Sequence, residues 1–202
     1  LGLGGTCYGL DAACASSLYA VKLACDELLE HRASAMLAGG LSRPDSLYTQ
    51  MGFSQLRALS PSGRCSPFDR KGDGLIVGEG AGILVLESEA HAVRRHANVL
   101  AEVGGSGLAC DAHHITRPHP EGTGSFRAMQ EAILRSGVSA RDVDFINAHG
   151  TGTHANDKIE SLVIKEVFGN RPVPVSSMKG MLGHCMGAAS ALEAVACVMT
   201  VQ

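Results

Sequence analysis

The sequence predicts an α/β fold with a buried sheet. Three observations predict it. Apolar residues recur at helical spacing in several separate segments, short apolar runs bounded by glycine fall between them, and the two patterns alternate along the chain. The 202 residues are 45% apolar and 18% charged, enough to bury a sizeable core and incompatible with a disordered chain.

The elements follow in order. The Gly-rich opening, residues 1–13, is strand-like. Residues 14–30 place Leu18, Val21, Cys25, Leu28 and Leu29 on one helical face, with Lys22, Asp26, Glu27 and Glu30 opposite. Ala35–Ala38 is a buried-strand run closed by Gly39 and Gly40. Ile76–Leu86 and Leu100–Ala109 are further strands, and the glycines at 104, 105 and 107 mark a bulge or close packing. Residues 124–136 form a helix with Gly137 as its C-cap. Val143–Ala148 is a strand. Residues 156–168 form an amphipathic helix with Ile159, Leu162, Val163, Val167 and Phe168 on one face, Asn156 as N-cap and Gly169 past the end. A strand at Val173–Ser176 and an Ala-rich helix over 187–201 complete the pattern, with Leu192, Val195, Ala196 and Met199 as the apolar stripe of that helix. The polar stretch Glu87–Ala97 separates two halves, 1–90 and 91–202. The chain opens in a strand-like stretch without Met and stops within a helical pattern, as expected of a piece of a longer protein.

Composition excludes several function classes. The net charge is −3 and no basic block stands out, which argues against nucleic acid or an anionic membrane as partner. Trp is absent and aromatics are 4%, leaving no stacking platform for bases. The seven Cys are scattered without a CxxC pair, so neither a zinc ribbon nor a disulfide scaffold is expected, and a cytoplasmic, reducing location is. Apolar runs are too short to span a bilayer, and no signal-peptide pattern is present. His113, His114 and His119 lack a completing acidic or Cys ligand, and there is no GxGxxG, GxxxxGK[ST] or GxSxG motif.

Three segments carry chemistry. In DAACASSL, Cys14 stands where a strand gives way to a helix, whose unpaired N–H groups and dipole favour a thiolate. A Cys taken alone is more often a small core thiol; the abrupt switch and small neighbours raise the nucleophile reading to even weight. In NAHGTGT, His149 ends a strand beside a loop whose hydroxyls and N–H groups can hold a ligand; an isolated His there is more often a cap. In KGMLGHCMGAA, His184 precedes an Ala-rich helix and Lys179 sits in an apolar stretch that calls for a carboxylate partner, Asp157 or Glu160. A surface Lys and a capping His are the plainer alternatives. Strand-to-helix loops of an α/β fold gather at one sheet edge, so one Cys and two His together suggest acyl transfer through a thioester.

These three segments together resemble the β-ketoacyl synthases, the condensing enzymes of fatty-acid and polyketide assembly. Further similarity lies in MLAGG (36–40), RCSPFDRKGDGLIVGEGAGILVLE (64–87) and CDAHHITRPHPEG (110–122), so that the likeness covers nearly the whole chain. It implies an incomplete thiolase-like α/β/α/β/α fold, usually homodimeric, with residues 1–90 the latter part of the N-terminal half and 91–202 the first part of the C-terminal half. It implies Cys14 as acyl-accepting nucleophile and His149 and His184 as the pair assisting decarboxylation of a malonyl thioester. Lys179 becomes a supporting cation tied to Glu160. The resemblance further implies that Thr151 and Thr153 hold the phosphopantetheine arm of an acyl carrier protein and that Phe53 falls near a pocket-lining position. No metal or redox cofactor is implied. The family's strands before Leu1 and its C-terminal Gly-rich loop are missing, so the isolated piece is expected to be insoluble or inactive. His154 stands where Pro is common. A thiolase would need a second catalytic Cys in a CxGxG-like loop, which Cys185-Met-Gly-Ala-Ala does not supply. A non-catalytic chain-length partner would typically have lost the nucleophile, and an inactive truncated product is the third alternative.

Overall fold

The computed structural model describes residues 2–43 and 47–202. Among them the helices are α1 Ser16–Leu29, α2 Leu47–Gln55, α3 Glu89–Arg94, α4 Thr123–Ser136, α5 His154–Phe168, α6 Lys179–Leu182 and α7 Ala189–Thr200. The strands are β1 Ala35–Ser42, β2 Gly80–Glu87, β3 Ile146–Asn147 and β4 Val175–Ser176. The chain divides into two compact units. One comprises Leu1–Pro44, Gly78–Ala101 and Cys185–Gln202, the other Asp45–Val77 and Glu102–His184. No described helix is long and apolar enough to cross a membrane.

In the first unit, β1 and β2 form an antiparallel pair with Ala38 opposite Leu84 and Gly40 opposite Gly82. Val21 and Ala24 of α1 pack on Met36, Ala38, Leu84 and Leu86. β1 does not stop at Ala38 but runs through both glycines to Ser42. The missing side chain at Gly40 permits this, since a Cβ there would lie 2.6 Å from the Gly187 carbonyl oxygen. The buried stripe of α1 is Ser17, Val21, Ala24 and Leu28. Leu18 and Leu29, expected on that face, are exposed, because Ser17 is drawn inward by hydrogen bonds. The residues before Cys14 form neither helix nor strand over 2–12. The N–H groups of Ala12 and Ala13 go to the side chains of Ser16 and Asp11 rather than to a ladder. Leu1, which opens the stretch read as strand-like, lies outside the described residues.

The second unit holds the parallel pair β3–β4, with Ile146 opposite Val175. Both strands are shorter than the expected Val143–Ala148 and Val173–Ser176. The Val143 carbonyl accepts from the Arg171 guanidinium at 2.6 Å, and the Val173 N–H donates to the Arg171 carbonyl at 3.0 Å, so neither group is left for the ladder. Residues 100–109 form no strand; the Leu108 N–H donates to the Glu131 carboxylate of α4 at 3.1 Å. Of the expected strand Ile76–Leu86 only the part from Gly80 is strand, because the Ile76 carbonyl accepts from the His184 N–H at 2.6 Å. Gly137 (φ 71°) and Gly169 (φ 64°) close α4 and α5 as expected. α5 begins earlier than expected, with Thr153 at the N-cap and Asn156 inside the first turn. Val163 is fully buried on its inner face, while Leu162 is exposed. In the last helix, Leu192 packs inward on Cys185, Ala188 and Ala189, and Met199 is exposed.

Ser17 holds the first unit's small-residue seam together. Its buried hydroxyl donates to the Gly187 carbonyl at 2.7 Å, accepts from the Ala191 N–H at 2.9 Å and lies 3.0 Å from the Ser190 hydroxyl. Removing it leaves buried partners unsatisfied, so Ser17→Ala is expected to cost about 1–3 kcal/mol of stability, read as a lower urea midpoint at unchanged slope. An unchanged midpoint would show that the seam is held by packing alone.

Candidate active site

Cys14 lies in the 3-10 turn Ala13–Ala15 that runs directly into α1. Ala13 has a φ of 51°, the left-handed region that costs a residue with a Cβ roughly 1–2 kcal/mol. Three contacts hold it there. The Asp11 carboxylate accepts the Ala13 N–H at 2.8 Å, the Ser16 hydroxyl donates to the Ala13 carbonyl at 2.6 Å, and the Ser190 hydroxyl donates to the Cys14 carbonyl at 3.1 Å. The switch into a helix at Cys14 is therefore present, although a loop, not a strand, leads into it. The thiol is half-buried at the start of a 14-residue helix, where the dipole favours negative charge.

His149 follows the tip of β3 and precedes α5. Its loop is shaped by two carboxylates of α5. Glu160 accepts the N–H groups of His149 at 2.6 Å and Gly150 at 2.8 Å. Asp157 accepts the N–H groups of Thr151 at 3.0 Å and Phe68 at 2.8 Å. Asn156 donates to both carboxylates at 3.1 Å, so it braces the clamp where the sequence suggested a cap. The hydroxyls of Thr151 and Thr153 are 2.8 Å apart, and Thr151 is buried. Gly150 (φ 38°) has no space for a side chain: a Cβ would meet Ser177 Cβ at 2.6 Å and the Phe68 ring at 2.8 Å.

His184 does not sit in a strand-to-helix loop. It follows the single turn of α6, and Val77 pairs with it in an isolated parallel bridge. Its ring lies 5.4 Å from that of His149, centroid to centroid, at an interplanar angle of 83°. His184 and Lys179 are almost fully buried. Burial pushes the His149 imidazole down to about 3, with the positive charge of Lys179 and then His184 adding to the shift. His184 is pushed down to about 4, again by burial first and Lys179 second. A second cation beside a buried ammonium is disfavoured, so both rings are neutral at pH 7, each with one N–H donor and one acceptor nitrogen.

Of the expected site residues, the second unit brings together His149, His184, Lys179, Thr151, Thr153, Asp157 and Glu160. Phe53 is half-buried on α2, and the aromatic ring packed on the His149 loop is that of Phe68. Phe68 and Ser177 were not singled out from the sequence. A Ser at the end of a strand run was the only signal for Ser177, and Phe68 offered none, because its left-handed backbone (φ 60°) depends on the Asp157 contact.

Residues 1–92 match the family model described as β-ketoacyl synthase, N-terminal domain, and residues 100–202 match β-ketoacyl synthase, C-terminal domain. The chain is 47% identical over 204 residues to nodulation protein E of Rhizobium meliloti, covering all of this chain and 50% of that protein. It is 40% identical over 207 residues to the chloroplastic 3-oxoacyl-[acyl-carrier-protein] synthase I of Arabidopsis thaliana, covering 44% of it. Among solved structures, a type II polyketide ketosynthase in complex with its acyl-carrier protein and bound to the hexaketide (AntDE:AntF) superposes with a TM-score of 0.94 at 34% identity, over 98% of this chain and 50% of that one. The chain thus spans about half the length of the curated relatives it matches, and its α/β fold is part of the thiolase-like ketosynthase fold.

Unfolded, both imidazoles titrate near 6.5; folded, near 3 and 4. Between those values the unfolded chain binds more protons, so stability is expected to fall as pH drops from about 6.5 toward 4 and to be level above. Urea midpoints at pH 5 and pH 7 test this: the loss should be smaller in a His149→Gln, His184→Gln double variant, and an equal loss in both proteins would mean that these rings do not titrate low. With residues 1–92 matching the N-terminal and residues 100–202 the C-terminal domain model, and the rings of His149 and His184 side by side, the chain belongs to the β-ketoacyl synthase family.

Proposed function

We propose that this chain is the catalytic part of a condensing enzyme that joins an acyl group to a malonyl unit carried on acyl carrier protein. The observation that carries the reading is the pair of imidazoles, His149 and His184, 5.4 Å apart edge to face in a chain that matches the N- and C-terminal domain models of the family. Cys14 is the nucleophile: its thiolate attacks the acyl thioester, and the carrier thiol leaves. The malonyl thioester then loses carbon dioxide, and the electron pair of the broken carbon–carbon bond moves onto the thioester oxygen. One N–H from each neutral imidazole, aimed at that oxygen, stabilises the charge without an added cation. The enolate carbon attacks the carbonyl of the acylated Cys14, sulfur leaves as thiolate, and a 3-ketoacyl thioester results. The bonds made and broken need neither a metal nor a redox cofactor.

In this reading burial first and Lys179 second keep both rings uncharged, and Glu160 and Asp157 hold the loop that presents His149. Thr151 and Thr153 offer hydroxyls to the phosphopantetheine arm, and Phe53 borders the acyl pocket. Residues 1–90 are the latter part of the N-terminal ketosynthase half and 91–202 the first part of the C-terminal half. The acyl carrier protein in complex with the related solved ketosynthase supports a carrier partner. A homodimer in the cytoplasm is the proposed working form. Cys14, on a strained turn, disfavours a non-catalytic chain-length subunit.

Cys14→Ala in the full-length protein is expected to abolish acyl-enzyme formation, read by mass spectrometry after incubation with acyl carrier thioester. His184→Ala is expected to load the acyl group and to lose condensation by about two orders of magnitude or more. Acyl loading that survives in Cys14→Ala would overturn the nucleophile assignment.

A further inference from the structure

The β3–β4 ladder gives out just where the chemistry begins. Its last rung is the Ala148 N–H donating to the Ser176 carbonyl at 2.8 Å. His149 comes next on one side; on the other come Ser177 and, two residues later, Lys179. Beyond the last rung the Ser177 hydroxyl takes over. It donates to the Gly150 carbonyl at 2.8 Å, with the His149 carbonyl at 3.5 Å, and its oxygen accepts the Lys179 N–H at 3.3 Å. Its Cβ fills the space that a side chain at Gly150 would need. Ser177 therefore joins two backbone segments 27 residues apart in sequence at the point where main-chain pairing has ended.

The segment that follows is short and held at its far end too. α6 is one turn, Gly183 (φ 72°) reverses the chain, and the His184 N–H is fixed to the Ile76 carbonyl. Segment 177–184 is held by the Ile76 carbonyl at the His184 end and by the Ser177 hydroxyl at the Lys179 end. The Ser177 hydroxyl also ties it to the loop of His149. We propose that Ser177 is a positioning residue that sets the spacing between the His149 and His184 rings by locking the His149–Gly150 backbone to the turn carrying Lys179. A hydroxyl suits this place because it can accept from one segment while donating to the other. An alanine would leave the Lys179 N–H and the Gly150 carbonyl without this link.

The catalytic consequence rests on the condensing function proposed above, whereas the spacing of the rings does not, and the test separates the two. In the full-length protein, Ser177→Ala is expected to slow malonyl-thioester decarboxylation about tenfold or more in kcat, the scale of a small misplacement of catalytic groups. KM should stay within about twofold and acyl loading of Cys14 should be unchanged, while Ser177→Thr, which keeps the hydroxyl, recovers most of the rate. Independently of turnover, the ring proton and carbon resonances of His149 and His184 should shift in Ser177→Ala. Unchanged ring resonances overturn the inference whatever the activity. Equal losses of loading and decarboxylation, with a lowered unfolding midpoint, overturn it in favour of a purely structural role. A wild-type protein that decarboxylates nothing sinks the functional reading instead, and the ring resonances still decide the role of Ser177.

Discussion

The arrangement of this site depends on a carboxylate accepting hydrogen bonds from backbone N–H groups. Glu160 accepts the N–H groups of both His149 and Gly150, and Asp157, three residues earlier on α5, accepts those of Thr151 and Phe68. Four N–H groups of loops that have left regular structure are thereby satisfied by two side chains on the first turns of one helix. Negative charge is favoured at that end of a helix, and hydrogen bonds to an ionised acceptor are the stronger kind. The clamp determines where the β3 tip can go and hence where the imidazole of His149 stands. Burial makes a positive charge on either ring unfavourable and the nearby Lys179 charge adds to it, so position and protonation state are both set within one unit.

The turn carrying Cys14 is built differently. It uses small residues and hydroxyls: Ser16 and Asp11 hold Ala13 in a left-handed conformation, and Ser190 ties the Cys14 carbonyl to α7. Ser17, one position further on, is buried against the residues that lead into that helix. Close backbone approach at Gly40 lets β1 join the same seam. Strain at a single residue persists only where several contacts over-determine it, and here three do.

Much of the candidate site is legible in the sequence because its residues are local and chemically distinctive. A Cys before a helical stripe and a His before a Gly-Thr loop can be seen without knowing what packs where, and so can the glycines that end α4 and α5. The strands were less legible, because a strand is defined by its partner. Residues 100–109 have the composition of a strand, yet their backbone meets a Glu131 side chain; Val143 and Val173 lose their pairing groups to Arg171. Helix faces depart from the apolar pattern where a polar residue is the buried one: Ser17 displaces Leu18 from the inner face of α1 because its hydroxyl has partners there. Phe68 and Ser177 act through contacts with residues distant in sequence, a kind of information that periodicity does not contain.

In the proposed function one sulfur and two imidazoles serve a single substrate. A bis-electrophile with a three-carbon span, 1,3-dichloroacetone, tests it on the full-length protein. Cys14 should react first, and the second arm should capture a neutral ring nitrogen, so that peptide mapping finds the Cys14 peptide joined to that of His149 or His184. Complete modification of Cys14 with both histidine peptides recovered unlinked would contradict the claim.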